Sequence, residues 1–144
     1  MRTPQLRSLS LALALTLTLA SGPAAASRKS AKLLDVALYE YSGAIRWSEF
    51  EHAYDYVDPA TQAKHPLSDI DRARYKQVEV THYEVTAETR TDTSDDREVA
   101  ISLVNRNTQV VRSLSYHEHW RWDPKAKSWW LTTGLPDITS TDDN

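Results

Sequence analysis

The chain has 144 residues, 17 Lys and Arg against 20 Asp and Glu, and no cysteine. That length holds one domain around one core, and the missing cysteine excludes disulfides, thiolate metal sites, a cysteine nucleophile and an acylated lipoprotein cysteine. Charged residues at 26% and hydrophobic residues at 40% belong to a globular chain, not to a disordered or membrane-embedded one.

The first segment reads as an export signal. Arg2 and Arg7 form a basic start, and Leu9 to Ala20 is an uncharged, Leu/Ala/Thr-rich run. Ser21-Gly22-Pro23 breaks it, and Ala24-Ala25-Ala26 supplies the small residues a signal peptidase requires. A membrane span needs about 18 or more apolar residues, and this run is shorter. Arg2 and Arg7 are not adjacent, so the twin-arginine route is not indicated. The expected organisation is a signal peptide over 1–26, one domain over 27–136 and a polar tail over 137–144. The location is then periplasmic or secreted. Removing 1–26 takes away two arginines and no acid, so the formal charge moves from −3 to −5. That balance does not favour nucleic acid or anionic membranes as partners.

Along the remaining chain, Leu34, Leu38, Tyr41 and Ile45 recur at helical spacing and predict a helix over Ser30–Ile45, with Gly43 weakening its last turn. Ser48 reads as the N-cap of a second helix carrying Trp47, Phe50, Tyr54 and Val57, and Asp58-Pro59 reads as its stop. Thr61–Pro66 reads as a connector. Ser68-Asp69-Ile70-Asp71 starts a short capped helix through Tyr75. The period then changes to two, which predicts strands over Lys76–Arg90, Glu98–Asn105, Gln109–Trp122 and Ser128–Thr133, with Thr91–Arg97 as a polar turn. The first strand has a parity fault. Val78 and Val80 face one way and Tyr83, Val85 and Ala87 the other, so one extra residue near Thr81 or His82 is expected as a β-bulge that bends the strand. Helices followed by hairpin-linked strands argue for α+β: N-terminal helices on a curved, four-stranded antiparallel sheet, shaped like a cone.

The helical block Leu34–Tyr56, the Asp58-Pro59 stop, Trp120-x-Trp122 and Trp129-Trp130-Leu131 resemble the cystatin-like, nuclear-transport-factor-two-like superfamily. More narrowly they resemble secreted proteins of Gram-negative bacteria. The resemblance covers most of residues 32–134. It implies a cone-shaped fold and a choice among isomerases, dehydratases, epoxide hydrolases, carriers and interaction modules, and a fold does not select among these.

Tyr116-His117-Glu118-His119-Trp120 is the densest polar constellation. Residues two apart share a strand face, so His117 and His119 point together with Ser113, Ser115 and Arg121. Two imidazoles make half a metal site, to which His52, His65, His82, Glu79 or Glu84 could add. The simpler reading is a polar sheet face. Val110, Arg112, Leu114, Tyr116, Glu118, Trp120 and Trp122 lie on the opposite, helix-facing side. Glu118 there is the candidate general acid or base, because apolar neighbours raise a carboxyl's proton affinity; an ion pair, with Arg112 as one partner, is its structural alternative. Arg112, Tyr116, Trp120 and Trp130 are the candidate ligand-binding residues, against a core-packing role for the tryptophans. Trp129 and Trp130 are adjacent, so one of them leaves the core face. The acidic stretch Asp92–Glu98 lacks EF-hand spacing. Gly43 and Gly134 are the only glycines after residue 26, which excludes a phosphate loop or dinucleotide fingerprint. No cofactor is expected. Two functions remain: an exported non-catalytic module that binds a partner protein or a small apolar ligand, with homodimerisation through the sheet face as one form; or an isomerase, dehydratase or hydrolase using Glu118.

Overall fold

A computed structural model describes residues 23–139. Residues 1–22 and 140–144, with most of the export signal and of the polar tail, lie outside the described residues. Among the described residues four helices precede four strands: α1 Pro23–Arg46, α2 Phe50–Tyr54, α3 Pro59–Lys64, α4 Asp69–Lys76, β1 Val78–Arg90, β2 Ser94–Asn105, β3 Val111–Asp123 and β4 Ser128–Leu131. The sheet is antiparallel throughout, in the order β1-β2-β3-β4. This is the expected α+β cone.

Helix α1 starts seven residues earlier than its apolar period suggests. Proline suits a first helical position, where its missing N–H has no partner to lose. The helix buries Leu34, Leu38, Tyr41, Ala44 and Ile45 against the sheet. It ends differently from expectation. Ser48 adopts φ 61°, in the left-handed region, and so terminates α1. Its hydroxyl accepts from the Val80 N–H at 2.9 Å rather than capping α2. Trp47 is 80% exposed in the same turn and takes no part in the α2 stripe. Phe50 does: its ring stacks on Tyr75 at 4.3 Å.

Asp58-Pro59 stops one helix and starts another. The Asp58 carboxylate accepts from the Ala60 N–H at 2.8 Å, and Pro59 takes the first position of α3, where a connector was expected. Ser68 caps α4 in a reciprocal box with Asp71.

The sheet manages its two edges by separate means. Along β4, Val57 forms a parallel bridge with Leu131, closed by Leu131 N–H to Tyr56 C=O at 2.8 Å and Asp58 N–H to Leu131 C=O at 2.9 Å. Along β1 the register shifts twice, between Val80 and His82 as expected and again between Val85 and Ala87. Bulges twist an edge and discourage pairing with another chain. The second bulge corrects the sequence reading: Ala87 pairs with Glu98 on the outer face, and Glu88 and Arg90 come opposite Arg97 and Asp95.

Strand β2 begins at Ser94, four residues before the expected start, so Asp95 and Arg97 extend the inward series Val99, Ile101, Leu103 and are buried. Trp120 is fully buried and meets Tyr41 edge-on at 5.2 Å. Trp129 is buried and donates to the Ser30 carbonyl at 2.8 Å. Beyond the sheet, Ile138 is buried and its carbonyl accepts from Arg112 at 2.7 Å, so ordered packing runs past residue 136. Among the described residues no helix is long and apolar enough to cross a membrane.

Candidate functional site

Strand β3 divides its side chains as alternation requires: Leu114, Tyr116, Glu118 and Trp120 are buried, while Ser113, Ser115, His117 and Arg121 are exposed. Two polar constellations result, one on each face.

The inner one centres on Glu118, which has no exposed surface. Its Oε1 accepts from the Tyr83 hydroxyl at 2.7 Å. Its Oε2 accepts from the Trp120 indole at 3.2 Å and from Arg97 at 3.3 Å. Arg97 stands directly across the β2–β3 ladder from it. Burial pushes the Glu118 carboxyl up, and the Tyr83 hydrogen bond, then Arg97 and Trp120, pull it back. The Tyr83 hydroxyl is pushed far above its ordinary value by burial and then by the Glu118 charge. The Arg46 guanidinium lies 5.0 Å from the centre of the Tyr83 ring. One layer along, Asp95 is pushed up to about 6 by burial and then by Glu88. Both its carboxylate oxygens lack a hydrogen-bond donor, and Arg90 Nε stands 3.8 Å away.

Arg112 is not the partner of Glu118. It lies three inward positions back along β3 and donates to Ile138. Tyr116 is buried, with its hydroxyl bonded to Tyr41 at 3.1 Å and to the Gly134 carbonyl. Trp130 is half-buried and opposite Arg121 on the outer face. The four candidate ligand-binding residues therefore do not converge: two are packed in the core, one anchors the C-terminal segment and one faces outward. An apolar depression of about 400 Å³ lies elsewhere, between the start of α1 and the β3–β4 turn, lined by Leu33, Trp122 and Pro124 with Lys29 and Lys127.

The outer constellation sits on β2 and β3. The ladder sets Asp96 opposite His119 and Glu98 opposite His117. His119 Nδ1 is 2.7 Å from Asp96 Oδ1, and His117 Nε2 is 3.2 Å from the same oxygen. His117 Nδ1 is 2.7 Å from Glu98 Oε1. The His119 hydrogen bond first, with smaller contributions from both rings, holds the Asp96 carboxyl below the usual range. The two histidines point together as expected, but the acids beside them come from β2. Glu79 instead stands 3.8 Å from Arg106, and Glu84 3.2 Å from His82, both on β1.

Sequence reasoning missed Arg97, Asp95 and Asp96. The signal was present: carrying the Val99–Ile101–Leu103 alternation back through the acidic stretch puts Asp95 and Arg97 inside and Asp96 outside.

No family model matches the chain, and no curated protein does. Among solved structures it is similar to the solution structure of RPA3114, a SEC-C motif containing protein from Rhodopseudomonas palustris. That likeness has a TM-score of 0.55 at 12% identity, over 77% of this chain and 91% of that one. The crystal structure of a ketosteroid isomerase-like protein from Erwinia carotovora atroseptica gives 0.49 at 16% identity, over 70% and 89%. At these identities the first likeness shows a shared fold and no more.

Proposed function

We propose that the chain is an exported, non-catalytic binding module of the nuclear-transport-factor-two-like kind, which docks a protein partner through the outer face of its sheet. The observation that carries this reading is the division of the sheet. The helices cover one face and fill it with close-packed side chains. The other face stays open, with small residues, Ala100, Ser102, Ser113 and Ser115, at its centre and His82, Glu84, Glu98 and His117 around them. A flat centre of small side chains lets another backbone approach closely, and a polar rim supplies orientation. A second copy of the chain is the partner the face is first tested against. Light scattering after gel filtration should give a dimer at high concentration. Ala100→Glu with Ser113→Lys should return it to monomer, while Trp47→Ser on the far side should not. A wild-type monomer at about 1 mM, or a dimer indifferent to the face variants, overturns the dimer reading.

The catalytic reading rests on the raised proton affinity of Glu118. Against it stand the three donors that occupy the carboxylate and the absence of any exposed surface on it. Labelling with a water-soluble carbodiimide separates the two. Glu118 should remain unmodified in the folded protein, and modification at a rate like that of Glu84 would revive an acid–base role.

Export follows the N-terminal pattern. Cleavage after Ala26 would leave Ser27 first, and N-terminal sequencing of the protein recovered outside the cytoplasm should read Ser-Arg-Lys.

A further inference from the structure

We infer that Asp96, His117 and His119 form a binding site for a divalent transition metal of the zinc–copper class, with Glu98 as the residue that orients His117. The site shares His117 and Glu98 with the rim of the outer face, and metal binding by the isolated chain tests it separately from docking.

β2 and β3 are the two central strands, so their side chains project from a backbone bonded on both sides. Asp96 and His119 are direct cross-strand partners, and His117 is the next outward residue on the same strand as His119. The His119 backbone is held further: its carbonyl accepts from the Thr132 N–H at 2.8 Å and hydroxyl at 3.1 Å, and its N–H donates to the Thr133 hydroxyl at 3.3 Å. Preorganised ligands on rigid strands are what a metal site needs.

The donor atoms are already close. One nitrogen from each ring and one Asp96 oxygen all lie within 4.8 Å of one another. A tetrahedral zinc ion with bonds of about 2.1 Å separates its ligand atoms by about 3.4 Å. The two Asp96 contacts, at 2.7 and 3.2 Å, fall just inside that spacing, so a small opening of three side chains would admit the ion. The side chains are 40%, 47% and 37% exposed, which leaves an entry path and at least one position for water.

Glu98 completes the pattern. It binds the Nδ1 of His117 and leaves Nε2 directed at the Asp96 oxygen. A carboxylate on the far nitrogen of a ligand imidazole fixes its tautomer and raises its basicity. Two carboxylates beside two imidazoles also place negative charge where a dication would neutralise it. Nitrogen ligands select against calcium and magnesium, which prefer all-oxygen sites.

The test uses the full chain without a histidine tag, stripped with a chelator, and titrated with zinc and cobalt ions by calorimetry and absorption. The expected result is one saturable site per chain, with the visible bands of four-coordinate cobalt. His119→Ala and Asp96→Ala should each weaken binding at least tenfold, and His117→Ala with His119→Ala should abolish it. Glu98→Gln should weaken it by about ten- to a hundredfold with all three ligands intact. His65→Ala, at the end of α3, should leave it unchanged. Circular dichroism of each variant checks that the fold survives. No saturable binding up to about 1 mM ion would make the cluster an ion-pair network only. Binding that survives the double histidine variant would also overturn the site.

Discussion

Glu118 exchanges bulk water for three protein donors, and Arg97 exchanges it for Glu118. Removing one member of such a pair leaves a buried charge without compensation, whereas replacing both removes the desolvation cost along with the attraction. Glu118→Ala should therefore cost about 3–5 kcal/mol in urea unfolding. Arg97→Met with Glu118→Leu should recover most of that loss. If the double variant were as unstable as the single one, the pair would be stabilising beyond its own desolvation. Half of this residue-scale arrangement was legible beforehand. Alternation along β3 placed Glu118 inside between Tyr116 and Trp120. Its partner was not legible, because Arg97 was assigned to a turn: Asp92, Asp95 and Asp96 look like turn residues until the strand is extended through them.

Elements depend on single residues at their ends. Asp58 ends the α2 region, caps α3 and binds Arg121 from β3 at 2.7 Å. The Arg121 hydrogen bond holds the Asp58 carboxyl below the ordinary carboxylate range. A carboxylate with a lowered folded pKa stabilises the native state fully above its unfolded value, about 3.9. That contribution fades as pH falls through the folded value. Asp58→Ala should cost about 1–2 kcal/mol at neutral pH, the range for loss of a cap. Asp58→Asn keeps an acceptor for Ala60 and loses only the ion pair. Thermal melts from pH 7 to pH 3 should show its deficit shrinking as the wild-type carboxylate is protonated, and a constant deficit would mean the pair adds nothing. Strand registers belong to this scale too. The first β1 bulge was readable because the apolar parity breaks at Thr81. The second was not, because from Thr86 to Arg90 the strand has no large apolar residue to mark its face.

The whole molecule holds its core without disulfides. Its described apolar core begins at Leu34, and Ala24, Ala25 and Ala26 at the start of α1 are exposed. A chain starting at Ser27 should therefore unfold in a single cooperative thermal transition. Loss of that transition would give residues 23–26 a structural role their exposure does not suggest. The sequence alone determined the fold class, the run of helices followed by four hairpin-linked strands, the inward face of β3 and the placement of one of Trp129 and Trp130 off the core. These follow from periodicity, which is local and repeats along the chain. The tertiary structure alone decided which charges meet. Arg97 with Glu118, and Asp96 with His119, are set by how β2 lies against β3, and that register is a long-range choice made by the whole apolar face at once.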